Sequence, residues 1–186
     1  MRIGIFGGTF NPIHTGHLLF AEAAREQLRL DRVLLIPCAQ PPHKSAAGLL
    51  PAASRLAMIR LAIRGHSAFA ASALELRRPG PSYTIDTVRA LRRRWPRAAL
   101  FLLMGQDMLG VRWMAWPELK QLCTVAVVPS PGAKPPRRER GLVRLAMPQA
   151  DIASSDIRVR LRQGRSIRYL VPAAVERYIR SHRLYH

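Results

Sequence analysis

Two histidines, His14 and His17, stand three residues apart in the run Gly7-Gly8-Thr9-Phe10-Asn11-Pro12-Ile13-His14-Thr15-Gly16-His17. A helical period begins at Thr15, so this spacing puts both imidazoles on one face of a first turn. There they could donate hydrogen bonds to a phosphate lying against the positive helix end. The pair could equally be structural, or bind a metal, although no nearby carboxylate or cysteine completes a metal site. Gly7-Gly8 follows a short apolar run, and a glycine pair there lets the backbone approach a phosphate closely. Neither Gly-Lys-Ser/Thr nor G-x-G-x-x-G accompanies it, which excludes the two common phosphate fingerprints.

Other residues offer chemistry of the same kind. Ser154-Ser155-x-x-Arg158 opens a helix with serine at the cap. Its hydroxyls, its open N–H groups and an arginine one turn on make an anion site, or an ordinary cap beside a surface arginine. Asp107, in Gly105-Gln106-Asp107 after a strong apolar run, could accept ribose hydroxyls or cap a helix. Lys44, in a Pro-rich stretch, is a flexible point charge for a phosphate or for solvent. Trp113 and Trp116 lie in a poorly periodic segment, where an indole either packs in the core or stacks on a flat heteroaromatic ring. Glu75 reads only as a polar strand-end residue.

These positions must be held by elements the patterning predicts. Strands are expected at Arg2–Phe6, Val33–Ile36, Phe69–Leu74, Leu100–Met104, Thr124–Val128 and Val143–Ala146. Helices are expected at Thr15–Leu30, Ala53–Arg64, Thr84–Trp95, Trp116–Gln121, Ser154–Arg162 and Pro172–Ser181. A loop is expected over 37–50, a turn at Arg77–Pro81, and a Pro- and Arg-rich loop over 130–140. Strands alternating with helices predict an α/β fold: a Rossmann-like, doubly wound parallel sheet with helices on both faces and a small helical C-terminal part. Ligands then bind at the carboxyl ends of the strands, where Gly7-Gly8, Pro37 and Gly105-Asp107 fall.

The chain has 186 residues, 48% of them hydrophobic and 22% charged, which fits about one globular domain. Cys38 and Cys123 are too far apart in sequence for a disulfide framework or a zinc motif. No apolar run reaches membrane-span length and no signal peptide opens the chain, so a cytoplasmic protein is expected. The formal net charge is +19, yet only Lys44, Lys120 and Lys134 among 30 basic residues are lysines. A nucleic-acid binder is one reading of such a charge. No basic stripe interleaved with aromatics and no zinc-finger or RNA-motif signature supports it. A positive field that concentrates anionic small molecules fits better.

Gly-Thr-Phe-Asn-Pro-Ile-His-Thr-Gly-His resembles the signature of the His-x-x-His nucleotidyltransferase superfamily. Within it the resemblance is to bacterial nicotinate-nucleotide adenylyltransferases. Further segments match that family in order: Pro41-Pro42-His43-Lys44, Arg55-Leu56-Ala57-Met58, Ser82-Tyr83-Thr84-Ile85-Asp86-Thr87, Gly105-Gln106-Asp107, Trp113-Met114-Ala115-Trp116, Asp151 to Arg158, and Pro172-Ala173-Ala174-Val175. The match spans residues 1 to about 180, and it implies a single nucleotidyltransferase domain over 1–186.

The implied reaction joins ATP and nicotinate mononucleotide into deamido-NAD and releases pyrophosphate. The resemblance implies His14, His17 and Arg158 as catalytic. It implies Gly7, Gly8, Thr9, Phe10, Gly16, Gly105, Asp107 and Ser154 for ATP, and Lys44, Thr84 and Trp113 for the mononucleotide. Mg²⁺ is expected on the ATP phosphates, with no protein metal site. Ala153-Ser154-Ser155 stands where the family has Ser-Ser-Thr. A sister enzyme acting on nicotinamide mononucleotide is the nearest alternative, and an arginine-rich nucleic-acid binder the alternative of another class. Oligomeric state is left open.

Overall fold

The computed structural model describes residues 1–41, 48–129, 141–148 and 150–185. Lys44 and the segment 130–140 therefore lie outside the described residues. The strands are β1 (Arg2–Gly8), β2 (Arg32–Pro37), β3 (Phe69–Ala71), β4 (Ala99–Gly105), β5 (Thr124–Val128) and β6 (Leu142–Arg144). The helices are α1 (Thr15–Gln27), α2 (Ala52–Ala62), α3 (Thr84–Arg94), α4 (Trp116–Leu122), α5 (Ser154–Arg162) and α6 (Ala173–Ser181), with 3₁₀ turns at Glu75–Arg77 and Gln106–Gly110.

The six strands form one sheet in the order β3-β2-β1-β4-β5-β6, every pair parallel. This is the doubly wound order, and it reverses direction between β1 and β4. Side chains alternate across it as the pleat requires. Ile3, Ile5, Leu34, Ile36, Leu100, Leu102, Val125 and Val127 face Ile85, Val88 and Leu91 of α3 and Leu119 of α4. Phe6, Val33, Leu35, Phe101, Leu103 and Ala126 face the opposite core with α1, α2, α5 and α6. Burial on both faces explains why β2 and β4 are continuous apolar runs. Each fully buried Leu or Ile contributes about 1.5–3 kcal/mol relative to exposure. The chain ends in a small helical part, α5 and α6, which joins this core through Ile157, Leu161, Val175 and Ile179.

Five elements end earlier than the patterning predicts: α2 at Ala62 and α3 at Arg94 by two residues and one, and α1, β3 and β6 each for a local reason. Helix α1 stops at Gln27, not Leu30. Arg29 is left-handed at φ 49°, and the Arg29 and Leu30 N–H groups close back on Glu26 and Arg25 carbonyls, a left-handed termination usually made by glycine. Strand β3 stops at Ala71, not Leu74, where the Ser72 hydroxyl takes the Leu74 N–H at 3.3 Å and turns the chain. Strand β6 stops at Arg144, not Ala146, because the Ala146 N–H goes to the Gln27 side chain at 2.9 Å and leaves the ladder.

Candidate active site

At the β1–β4 reversal the two strands part, and a cavity of about 820 Å³ opens beyond their carboxyl ends. Gly7 and Gly8 form its floor from β1, and Met104 and Gly105 from β4. A Cβ on Gly7 would meet nothing within 4 Å, so its bare backbone faces open space. A Cβ on Gly8 would press on the Phe10 ring at 3.2 Å. Phe10 does not reach the cavity: it is 1% exposed and left-handed at φ 47°. Its ring packs edge-on against Phe6 and His17, with centroids 5.4 and 5.0 Å away. Its ring lies behind His17.

His14 is the N-cap of α1, and His17 sits one turn into the helix. Their rings stack at 3.6 Å between centroids. The His14 backbone N–H donates to His17 Nδ1 at 3.2 Å. That bond makes Nδ1 the acceptor, so the neutral His17 ring carries its hydrogen on Nε2. His14 Nδ1 is buried without a hydrogen-bond partner among the described residues. An orphan lone pair is easier to bury than an orphan N–H, which places the His14 hydrogen on Nε2 as well. Burial lowers the His14 pKa to about 4, so this imidazole is neutral near pH 7. Gly16 makes room for it, since a Cβ there would meet the His14 ring at 3.2 Å.

The opposite wall comes from α5. Ser154, Ser155 and Arg158 all line the cavity. The Ser154 hydroxyl donates to Pro12 O at 2.9 Å and Arg158 to Asn11 O at 2.9 Å, which tie this helix to the histidine loop. Ser155 spends its hydroxyl hydrogen on Asp156. No side chain caps α5, so its first N–H groups and the remaining Arg158 donors are what an anion meets here. Helix α3 presents a second open end. Ser82, Tyr83 and Thr84 line the cavity, Tyr83 is the N-cap, and again no side chain caps the helix.

Asp107 projects from the first turn after β4, exposed at the cavity mouth. The N-cap of that turn is Gly105, not Asp107, so the capping alternative does not hold. Trp113 lines the cavity with its Nε1–H fixed on Met108 O at 2.8 Å. Trp116 packs behind it, ring centroids 5.9 Å apart. The cavity thus gathers His14, His17, Gly7, Gly8, Thr9, Gly16, Gly105, Asp107, Ser154, Arg158, Thr84 and Trp113. Two further residues, both noticed in the sequence but given no site role there, take one in the structure. Arg55 of α2 is 1% exposed and donates to Thr9 O at 2.8 Å and Leu50 O at 2.9 Å, so it braces the glycine loop from beneath. Glu75, 5% exposed, lies in the cavity wall. An arginine at an apolar face of a helix, where a leucine would be ordinary, is the available signal for Arg55.

A doubly wound sheet whose crevice collects a histidine pair and two uncapped helix ends defines a nucleotide-binding α/β protein that handles phosphate. Comparison with known proteins narrows the class. Residues 5–160 match the model of the cytidylyltransferase-like family. A Thermus thermophilus protein described as a probable nicotinate-nucleotide adenylyltransferase is 46% identical over 187 residues, covering 100% of both chains. A Thermomicrobium roseum protein of the same description is 45% identical over 195 residues, covering 99% of this chain and 91% of its own. The solved structure of Plasmodium falciparum nicotinic acid mononucleotide adenylyltransferase complexed with NaAD shares the fold. Its TM-score is 0.84 at 18% identity, over 99% of this chain and 97% of that one. The chain belongs to the cytidylyltransferase-like family and, within it, to the nicotinate-nucleotide adenylyltransferases, the family its motif series resembles.

Proposed function

We propose that this protein transfers the adenylyl group of ATP to nicotinate mononucleotide, giving deamido-NAD and pyrophosphate. One observation carries the reading: two uncapped helix ends and a histidine pair converge on one cavity at the sheet reversal. The mononucleotide phosphate oxygen attacks the α-phosphorus in line. A new P–O bond forms there, the bond to the β-phosphate bridge breaks, and pyrophosphate leaves with the electron pair. The nucleophile is already ionised, so no covalent enzyme intermediate is needed. The work is positioning, plus stabilisation of charge on the transferring and leaving oxygens.

His14 and His17 donate from Nε2 to oxygens around the α- and β-phosphates. The α5 end with Arg158 holds the leaving pyrophosphate, and Lys44 adds a phosphate contact. Asp107 accepts adenosine ribose hydroxyls. Trp113 stacks on the pyridine ring, and the Thr84 N–H at the α3 end receives its carboxylate. Among the described residues no three potential metal ligands cluster. A Mg²⁺ ion would therefore take its oxygens from triphosphate and water, with Asp107 the carboxylate at the mouth. When bound it supplies neutralisation of phosphate charge.

Pyrophosphate release with ATP and Mg²⁺ tests this, with nicotinate mononucleotide, nicotinamide mononucleotide and phosphopantetheine offered in parallel. Release with the nicotinate substrate well above the others is expected. Equal release with the amide overturns the assignment at Thr84, and release with none overturns the reaction.

A further inference from the structure

Glu75 is a buried acid in the wall of a cavity that has to accept acids. Its Oε1 accepts the Thr87 hydroxyl at 2.7 Å. The Ser82 hydroxyl, which itself accepts the Ala39 N–H at 2.8 Å, stabilises the same carboxylate. Burial pushes the carboxyl up, and Thr87, Ser82 and the Arg78 charge pull it back. Arg78 reaches round the outside, its guanidinium 3.3 Å from Tyr83 O and 3.4 Å from Thr87 Oγ1. Thr87 lies one turn into α3, and Ser82 immediately precedes its N-cap. The Glu75 carboxylate is therefore tied directly to the first turn of α3 through Thr87. Helix α3 lacks any side-chain cap of its own.

We propose that Glu75 is a positioning residue for substrate selection: through Thr87 it fixes the α3 end so that Thr84 N–H meets the pyridine carboxylate. This rests on the nicotinate reading above. Glu75 does not touch the substrate. An apolar residue cannot replace it, because the buried Thr87 hydroxyl depends on its oxygen. A glutamine can, because its amide oxygen accepts the same hydrogen.

The test is steady-state kinetics of wild type, Glu75→Ala, Glu75→Gln and Thr87→Val on both mononucleotides. Glu75→Ala is expected to raise KM for nicotinate mononucleotide about tenfold, with kcat and the KM of ATP within about twofold. The preference for acid over amide falls by the same factor, since only the acid uses the helix end as a charge partner. Thr87→Val shifts the ratio in the same direction, and Glu75→Gln restores most of it. If Glu75→Ala does not fold, Thr87→Val, which deletes one hydroxyl, decides on the same ratio. An equal rise of both mononucleotide KM values, a fall in kcat alone, or an unchanged ratio in Thr87→Val overturns the inference. A wild type that ignores nicotinate mononucleotide overturns the functional reading and this inference with it.

Discussion

The His14 N–H on its Nδ1 orients the His17 ring as an Nε2 donor. His17→Ala removes that donor and is expected to lower kcat about 10²-fold or more while the protein stays folded, measured by pyrophosphate release and circular dichroism on one preparation. His14 gives a pH signature. Its folded pKa of about 4 lies below the unfolded value of 6.5, so the unfolded chain binds the proton first as pH falls. Stability is complete above pH 6.5 and declines toward pH 4, by about 3 kcal/mol from this group. Urea midpoints at several pH values should show that slope in wild type, and a shallower one in His14→Asn. These cavity-lining residues are legible because their types and spacing are unusual: Gly-Gly, His-x-x-His, Ser-Ser-x-x-Arg. Phe10 belongs to the same motif, yet it faces away. A motif fixes neighbours in the chain, and the left-handed backbone at Phe10 decides which of them turn outward. Glu75 reads in the sequence as a strand-end polar residue, because its role depends on Thr87, which only the fold brings to it.

Helix α2 lies under the site without reaching the cavity, and Arg55 is its link upward. The buried guanidinium spans Leu50 O and Thr9 O, so Arg55→Met leaves two carbonyls unpaired beneath the glycine loop. The expected loss is about 2–3 kcal/mol, read as a lower urea midpoint at constant m. Gly16→Ala acts differently. Its Cβ would crowd the His14 ring at 3.2 Å, so turnover should fall while melting temperature stays near wild type. The elements are largely legible from period and punctuation. Strand β5 has the predicted limits, and the helices begin within a residue of expectation. Misplaced ends trace to side chains that capture backbone groups, such as Ser72 and Gln27, which hydrophobic periodicity does not encode.

The whole molecule carries a net charge of +19, and both substrates proposed for its cavity are anions. Among the described residues no helix is long and apolar enough to cross a membrane. Raising salt should lower kcat/KM several-fold and leave kcat nearly unchanged, because screening weakens steering and not the chemistry. Stopped-flow or initial-rate measurements across a salt series check this. Salt-independent kcat/KM would return the arginines to a compositional bias. The site itself is stitched across great sequence distance: Ser154 to Pro12, Arg158 to Asn11, and the Tyr185 hydroxyl to Asn11 Oδ1 at 2.9 Å. During synthesis the glycine and histidine loop leaves the ribosome long before its clamp exists. At about 5–20 residues per second the wait is roughly 7–30 s. Through that interval a nascent chain holds half a catalyst, and it becomes an enzyme only when its last helices swing back onto its first turn.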